Sequence, residues 1–84
     1  MEIILMKVHV RYFAVLRDRR GLAEETLEIE DLTARQLADH LIGKHQLDLP
    51  SPLIRVAING AFVPDDTLLQ DGDIVVLIPP VAGG

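Results

Sequence analysis

Residues 33–45 place the strongest constraint on what this chain can fold into. Thr33 heads the segment and Gln36 follows three residues later. That is the spacing of a capping box, in which each side chain satisfies the other residue's backbone N–H. Asp31 lies just outside, where negative charge suits the positive end of a helix. Ala34, Leu37, Ala38, Leu41 and Ile42 then recur at i, i+3, i+4, i+7 and i+8, one apolar stripe at the helical period. The helix should end near Gly43 to His45. A helix with one apolar stripe must bury it against another layer, and the rest of the chain offers strands.

Met6, Val8, Val10 and Tyr12 alternate with Lys7, His9 and Arg11, the pattern of a half-buried strand. Met1 to Leu5 is expected either to lengthen this strand or to be disordered. Phe13 to Arg20 reads as a short helix stopped by Gly21 at C′. Glu25 to Glu30 reads as a second strand, antiparallel to the first, with Leu27 and Ile29 inward. Gln46 to Pro52 is a loop. Ile54, Val56 and Ile58 alternate with Arg55, Ala57 and Asn59, and Asn59-Gly60 predicts a type I′ hairpin into Ala61-Phe62-Val63. Asp65 to Gln70 is a connection with Leu68 as its anchor, and Asp71-Gly72-Asp73 is a tight turn. Ile74 to Ile78 is unbroken apolar, which suits a central strand covered on both faces. Pro79-Pro80 ends the ladder, since neither residue has an N–H to donate. The expectation is an α+β domain over residues 1–80: a β-grasp (ubiquitin-like) fold, a mixed sheet of four to five strands with one main helix packed across it. Residues 81–84 are expected as a flexible Gly-Gly tail.

Composition narrows the function. The 84 residues include no cysteine, so cysteine nucleophiles, cysteine metal sites and disulfides are excluded. A formal net charge of −5 disfavours nucleic acid and anionic membranes and permits a basic partner. The N-terminal apolar run is too short for a membrane span or signal segment, and a cytoplasmic location is expected. His9, His40 and His45 read as surface residues, and no metal site is expected. Glu24-Glu25, Asp65-Asp66, Asp71 and Asp73 read as solvated charge. Ser51 stands between prolines with no plausible base nearby. Arg17, Arg19 and Arg20 fit two readings, a solvated helix end or a docking contact.

The tail offers different chemistry. Pro79-Pro80 makes a stiff exit from the most apolar strand, and Val81-Ala82-Gly83-Gly84 follows. Without Cβ atoms, a Gly-Gly end can thread a channel too narrow for other residues. Its carboxylate is a poor electrophile and must first be activated, as in an acyl-adenylate.

Four segments carry a family resemblance: Tyr12-Phe13-Ala14-Val15-Leu16-Arg17 with Gly21; Val56-Ala57-Ile58-Asn59; Leu69 with Asp71-Gly72-Asp73; and Ile78-Pro79-Pro80-Val81-Ala82-Gly83-Gly84. From Met6 to Gly84 the chain resembles the small subunit of molybdopterin synthase, a sulfur carrier of the ubiquitin-like β-grasp family. The Pro-Pro-Val-x-Gly-Gly ending is the most diagnostic piece. Thiamin-pathway carriers also end in Gly-Gly but lack that exit and the Phe-Ala-x-Leu-Arg segment. The resemblance implies that an activating enzyme related to ubiquitin E1 adenylates Gly84 with ATP and magnesium. It implies a thiocarboxylate there, which gives its sulfur to a pterin precursor inside the large catalytic subunit. Two small and two large subunits would form a heterotetramer. This chain would bind no cofactor and would not be catalytic alone. Phe13, Phe62, Ile78, Pro79 and Pro80 match the family's docking surface, and Arg17 matches a contact to the activating enzyme. A ubiquitin-like modifier, or a carrier for thiamin or tRNA thiolation, is the alternative. Met1 to Leu5 and Gln46 to Leu53 depart from the family pattern.

Overall fold

The computed structural model of the chain describes residues 4–80. Strand β1 spans Met6–Tyr12, helix α1 Val15–Arg20, strand β2 Glu24–Ile29 and helix α2 Ala34–Lys44. A 3-10 turn at Ser51–Leu53 precedes strands β3 (Arg55–Ile58), β4 (Ala61–Phe62) and β5 (Ile74–Ile78). The strands form one five-stranded sheet in the order β2-β1-β5-β3-β4. β1 and β5 run parallel, with His9 opposite Ile74 and Tyr12 opposite Leu77. The other pairs are antiparallel. This is the expected mixed β-grasp sheet with one main helix.

The helix forms for the reasons its sequence gives. The Gln36 N–H donates to Thr33 Oγ1 at 3.1 Å, and the Thr33 N–H donates to Gln36 Oε1 at 2.9 Å. Ala34, Leu37, Ala38 and Leu41 are buried. They share one core with Val8, Val10 and Tyr12 from β1, Val56 and Ile58 from β3, and Val75 and Leu77 from β5. Each fully buried Leu contributes about 1.5–3 kcal/mol of transfer free energy. At the hairpin, Asn59 (φ 52°) and Gly60 (φ 90°) both take the left-handed backbone that a type I′ turn requires.

Several expectations change. β1 begins at Met6, and Ile4 and Leu5 are exposed and outside the strand. Met1 to Ile3 lie outside the described residues. The anchor of the β4–β5 connection is Leu69, which is buried, whereas Leu68 is 65% exposed. The Leu69 N–H donates to Leu32 O at 3.0 Å, and Leu68 pairs with Thr33 in an isolated bridge, so backbone register turns Leu68 outward. The loop after α2 is held from several sides. Leu47 sits in the core, and Arg19 Nη1 donates to the carbonyls of Leu47 and Asp48, each at 2.7 Å. Arg35 donates to Ser51 O, Ser51 Oγ, Ile54 O and Asp65 Oδ1, and Ser51 Oγ donates to Asp39. Ser51 is therefore a structural hydroxyl.

Two acids expected as solvated are built into the fold. Asp73 is buried and accepts from Asn59 Nδ2 at 3.0 Å and from the Gln70 N–H at 2.8 Å. Glu25 accepts from the Tyr12 hydroxyl at 2.6 Å and from Arg20 Nε and Nη2 at 2.9 Å each. The Arg20 hydrogen bonds hold the Glu25 carboxyl below its usual range against the opposing push of burial, and the Tyr12 hydroxyl adds to the lowering. Burial first, then the hydrogen bond to Glu25 and its charge, push the Tyr12 phenol well above its usual range.

Both shifts have pH consequences of opposite sign. Glu25 contributes stability that is present above the unfolded carboxyl value of about 4.3 and lost as pH falls through its lower folded value. Tyr12 contributes stability that is present below about pH 10 and lost as pH rises above it. Thermal unfolding as a function of pH should show both losses. Glu25→Gln should shrink the acid limb, and an unchanged limb would remove Glu25 from the account. Leu37→Ala should cost about 2–5 kcal/mol, read as a lower urea midpoint at constant m-value.

Candidate functional site

β5 sits at the centre of the sheet, but the cover is one-sided. Val75 and Leu77 point to the helix and are fully buried, whereas Ile74 is exposed and Val76 and Ile78 are only partly buried. The expectation of cover on both faces is corrected. A single main helix shields one face of a five-stranded sheet, and the apolar run leaves every second residue on the other.

Register assembles this open face. One row across the sheet runs Glu24, Arg11, Val76, Ala57, Phe62. Ile78 lies opposite Arg55 in the next row. Tyr12 and Leu77 are partners, so Phe13 and Ile78 leave the two central strands at the same level. Phe13 and Phe62 are each 54% exposed, far more than a core aromatic would be. The Arg55 guanidinium sits 3.9 Å from the Phe62 ring centroid, a cation–π contact over one face of the ring. Pro79 is partly buried and Pro80 exposed, and both continue directly from β5. Phe13, Phe62, Ile78, Pro79 and Pro80 therefore cluster on one face and at the end where the chain leaves it.

The three arginines separate. Arg20 is tied to Glu25 and Arg19 to the carbonyls after α2, so both hold the fold. Arg17 is exposed, with only a long 3.9 Å contact to its neighbour Asp18. It borders an open groove of about 290 Å³ with Tyr12, Phe13 and Ala14. Of the cluster, Arg17 is the residue available to a partner.

Val81, Ala82, Gly83 and Gly84 lie outside the described residues. Among the described residues no group of three or more His, Asp or Glu side chains could hold a metal ion. No helix among them is long and apolar enough to cross a membrane. His9 Nδ1 shares a 2.6 Å hydrogen bond with Thr26 Oγ1 on the strand surface. Sequence reasoning missed Ile74 and Val76 as part of the open face, because an unbroken apolar run carries no alternation to say which side is bare. It also missed Arg55, whose role depends on a ring that only the hairpin brings beside it.

Residues 10–84 match the ThiS family. The chain belongs to the ThiS family. The molybdopterin synthase sulfur carrier subunit of Chlamydomonas reinhardtii is 37% identical over 87 residues, covering 94% of this chain and 100% of that protein. That likeness places this ThiS-family chain with the molybdopterin synthase sulfur carrier subunits. Among solved structures, SAMP1 from Haloferax volcanii superposes with a TM-score of 0.75 at 26% identity, covering 93% of this chain and 99% of that one. A complex of subunits 1 and 2 of the molybdopterin-converting factor from Helicobacter pylori contains a chain with a TM-score of 0.62 at 31% identity, covering 94% of this chain and 100% of that one.

The open face of this ThiS-family chain contributes little to folding, since its aromatics are half in water. Phe13→Ala and Phe62→Ala should each cost about 1 kcal/mol or less in urea unfolding, the scale of a surface contact plus a cation–π pair. Losses as large as that of Leu37→Ala would make these rings core residues instead.

Proposed function

We propose that this chain is the sulfur-carrying small subunit of a molybdopterin synthase, with Gly84 as its reacting group. The observation that carries the reading is the apolar open face, with Phe13 exposed level with the end of β5 and Phe62 exposed on the same face two strands away. A carrier must dock firmly while presenting its end to another protein's active site, and this face lies where docking would aim the tail. The H. pylori complex of subunits 1 and 2 supports a large-subunit partner of this kind.

In this reading an E1-like activating enzyme binds ATP and magnesium. The Gly84 carboxylate attacks the α-phosphate, releasing pyrophosphate and leaving an acyl-adenylate. A sulfur donor displaces AMP to give the thiocarboxylate. Val81, Ala82 and Gly83 form the narrow tether that carries it into the large subunit, where the sulfur passes to the pterin precursor. Water cleaves the acyl carbon–sulfur bond once the sulfur is joined to the precursor, so the carrier ends as a carboxylate again, ready for another cycle. Acid, base and pterin-binding groups belong to the large subunit, and the complete assembly is a cytoplasmic heterotetramer. Phe13, Phe62, Ile78, Pro79 and Pro80 dock, and Arg17 meets the activating enzyme.

A second reading, a ubiquitin-like modifier, has in its favour the likeness to SAMP1, a small archaeal modifier protein. There the activated Gly84 would be passed to lysine amines as a modifier.

Intact-mass analysis of protein from cells with the sulfuration machinery should show replacement of oxygen by sulfur at the C-terminus. Deleting Gly84 should abolish molybdopterin formation in a reconstituted synthase while leaving thermal unfolding unchanged. Phe62→Ala should weaken large-subunit binding by about 2 kcal/mol or more, as expected of an apolar anchor. A Gly84-deleted chain that still supports the product would overturn the carrier reading, and lysine-linked conjugates would favour the modifier.

A further inference from the structure

Ala14 has a backbone that an L-residue adopts only under strain. Its φ is 51° and its ψ −124°. These are the angles of the first central position of a type II′ turn, where glycine is preferred. The turn is closed, with the Leu16 N–H donating to Phe13 O at 3.0 Å. Asn59 also has a positive φ, but asparagine tolerates the left-handed region and its hairpin requires it. Alanine gains nothing comparable. Its side chain is exposed, so no core burial offsets the strain, and the residue supplies no side-chain cap to α1. Glycine would fit the same turn without the clash of a Cβ. The compensation for this methyl therefore lies outside the folded chain, and strained positions of this kind collect at functional sites.

Its surroundings say where. Ala14 follows Phe13 at the end of the open face and lines the same groove as Phe13, Tyr12 and Arg17. We propose that the Ala14 methyl is a docking contact, held out by the strained turn to pack against the large subunit, so that the chain gives up stability for affinity at this one position. The inference rests on the docking face assigned above.

The test is Ala14→Gly, measured for both thermal stability and binding to the purified large subunit encoded in the same genome. Relief of the strain should raise Tm by about 4 °C or more. Loss of one buried methyl should weaken Kd about fourfold, chiefly through a faster koff. A purely structural role would move both quantities the same way. Exchange of the Leu16 amide should stay as slow as in the parent, showing that the turn remains closed. Unchanged or tighter binding, an unchanged Tm, or a Leu16 amide that exchanges faster would each overturn the proposal. Phe62→Ala serves as the reference. If it loses affinity while Ala14→Gly does not, the docking face stands and the Ala14 contact falls. If Phe62→Ala binds as the parent does, the docking face itself is wrong.

Discussion

Everything functional in this molecule depends on the parallel pairing of β1 with β5. Two strands from opposite ends of the chain lie side by side in the middle of the sheet, from His9 against Ile74 to Tyr12 against Leu77. Parallel neighbours cannot be joined by a tight turn and need a long crossover. Here the crossover holds α1, β2, α2, β3 and β4, which is nearly the whole domain. The pairing is reinforced at its start. The Gly72 N–H donates to Lys7 O at 2.7 Å, the Lys7 N–H donates to Asp71 Oδ1 at 2.8 Å, and the His9 N–H donates to Asp73 O at 2.9 Å. The Asp71-Gly72-Asp73 turn thus sets the register that later brings Phe13 level with Ile78.

The second constraint is the mismatch between one main helix and a five-stranded sheet. Helix α2 covers the inner residues of the central strands and leaves the outer residues bare. The outer face carries apolar side chains on β5 and aromatics at Phe13 and Phe62, with Arg55 over the Phe62 ring and Arg11 paired with Glu24 at 3.5 Å. The inner face accounts for stability, and the outer face is free to be shaped by a partner. The Tyr12–Glu25–Arg20 cluster sits at the seam between them and braces α1 against β1 and β2.

The helix was legible in the sequence because capping and periodicity are local signals, and Thr33, Gln36 and the Ala34–Leu41 stripe carried both. The Asn59-Gly60 hairpin was legible because a type I′ turn demands particular residues. The edges of the account failed where the deciding partner is far away in sequence. Leu68 and Leu69 are chemically identical, and only pairing with Leu32 and Thr33 decides which is buried. Glu25 and Asp73 looked like surface charge until Tyr12, Arg20 and Asn59 were beside them. Phe62 stood out as a ring on a short strand with little cover. Ala14 belongs to the family segment, but nothing in its residue type signalled strain, because alanine is at home in almost any segment and only its torsion angles betray it.

The position of β5 has a mechanical consequence. In the proposed cycle the segment that enters the large subunit must also be withdrawn, and withdrawal would load β5 along its axis. That strand is hydrogen-bonded on both sides, to β1 and to β3, through four register pairs each. Ladder bonds lie across the strand direction, squarely in antiparallel pairs and on a slant in parallel ones, so an axial pull loads them in shear, all together. An edge strand peeled from its end would instead lose them one at a time. Hanging the proposed working end on the middle strand therefore gives the domain its greatest resistance along the one direction in which the proposed cycle would tug.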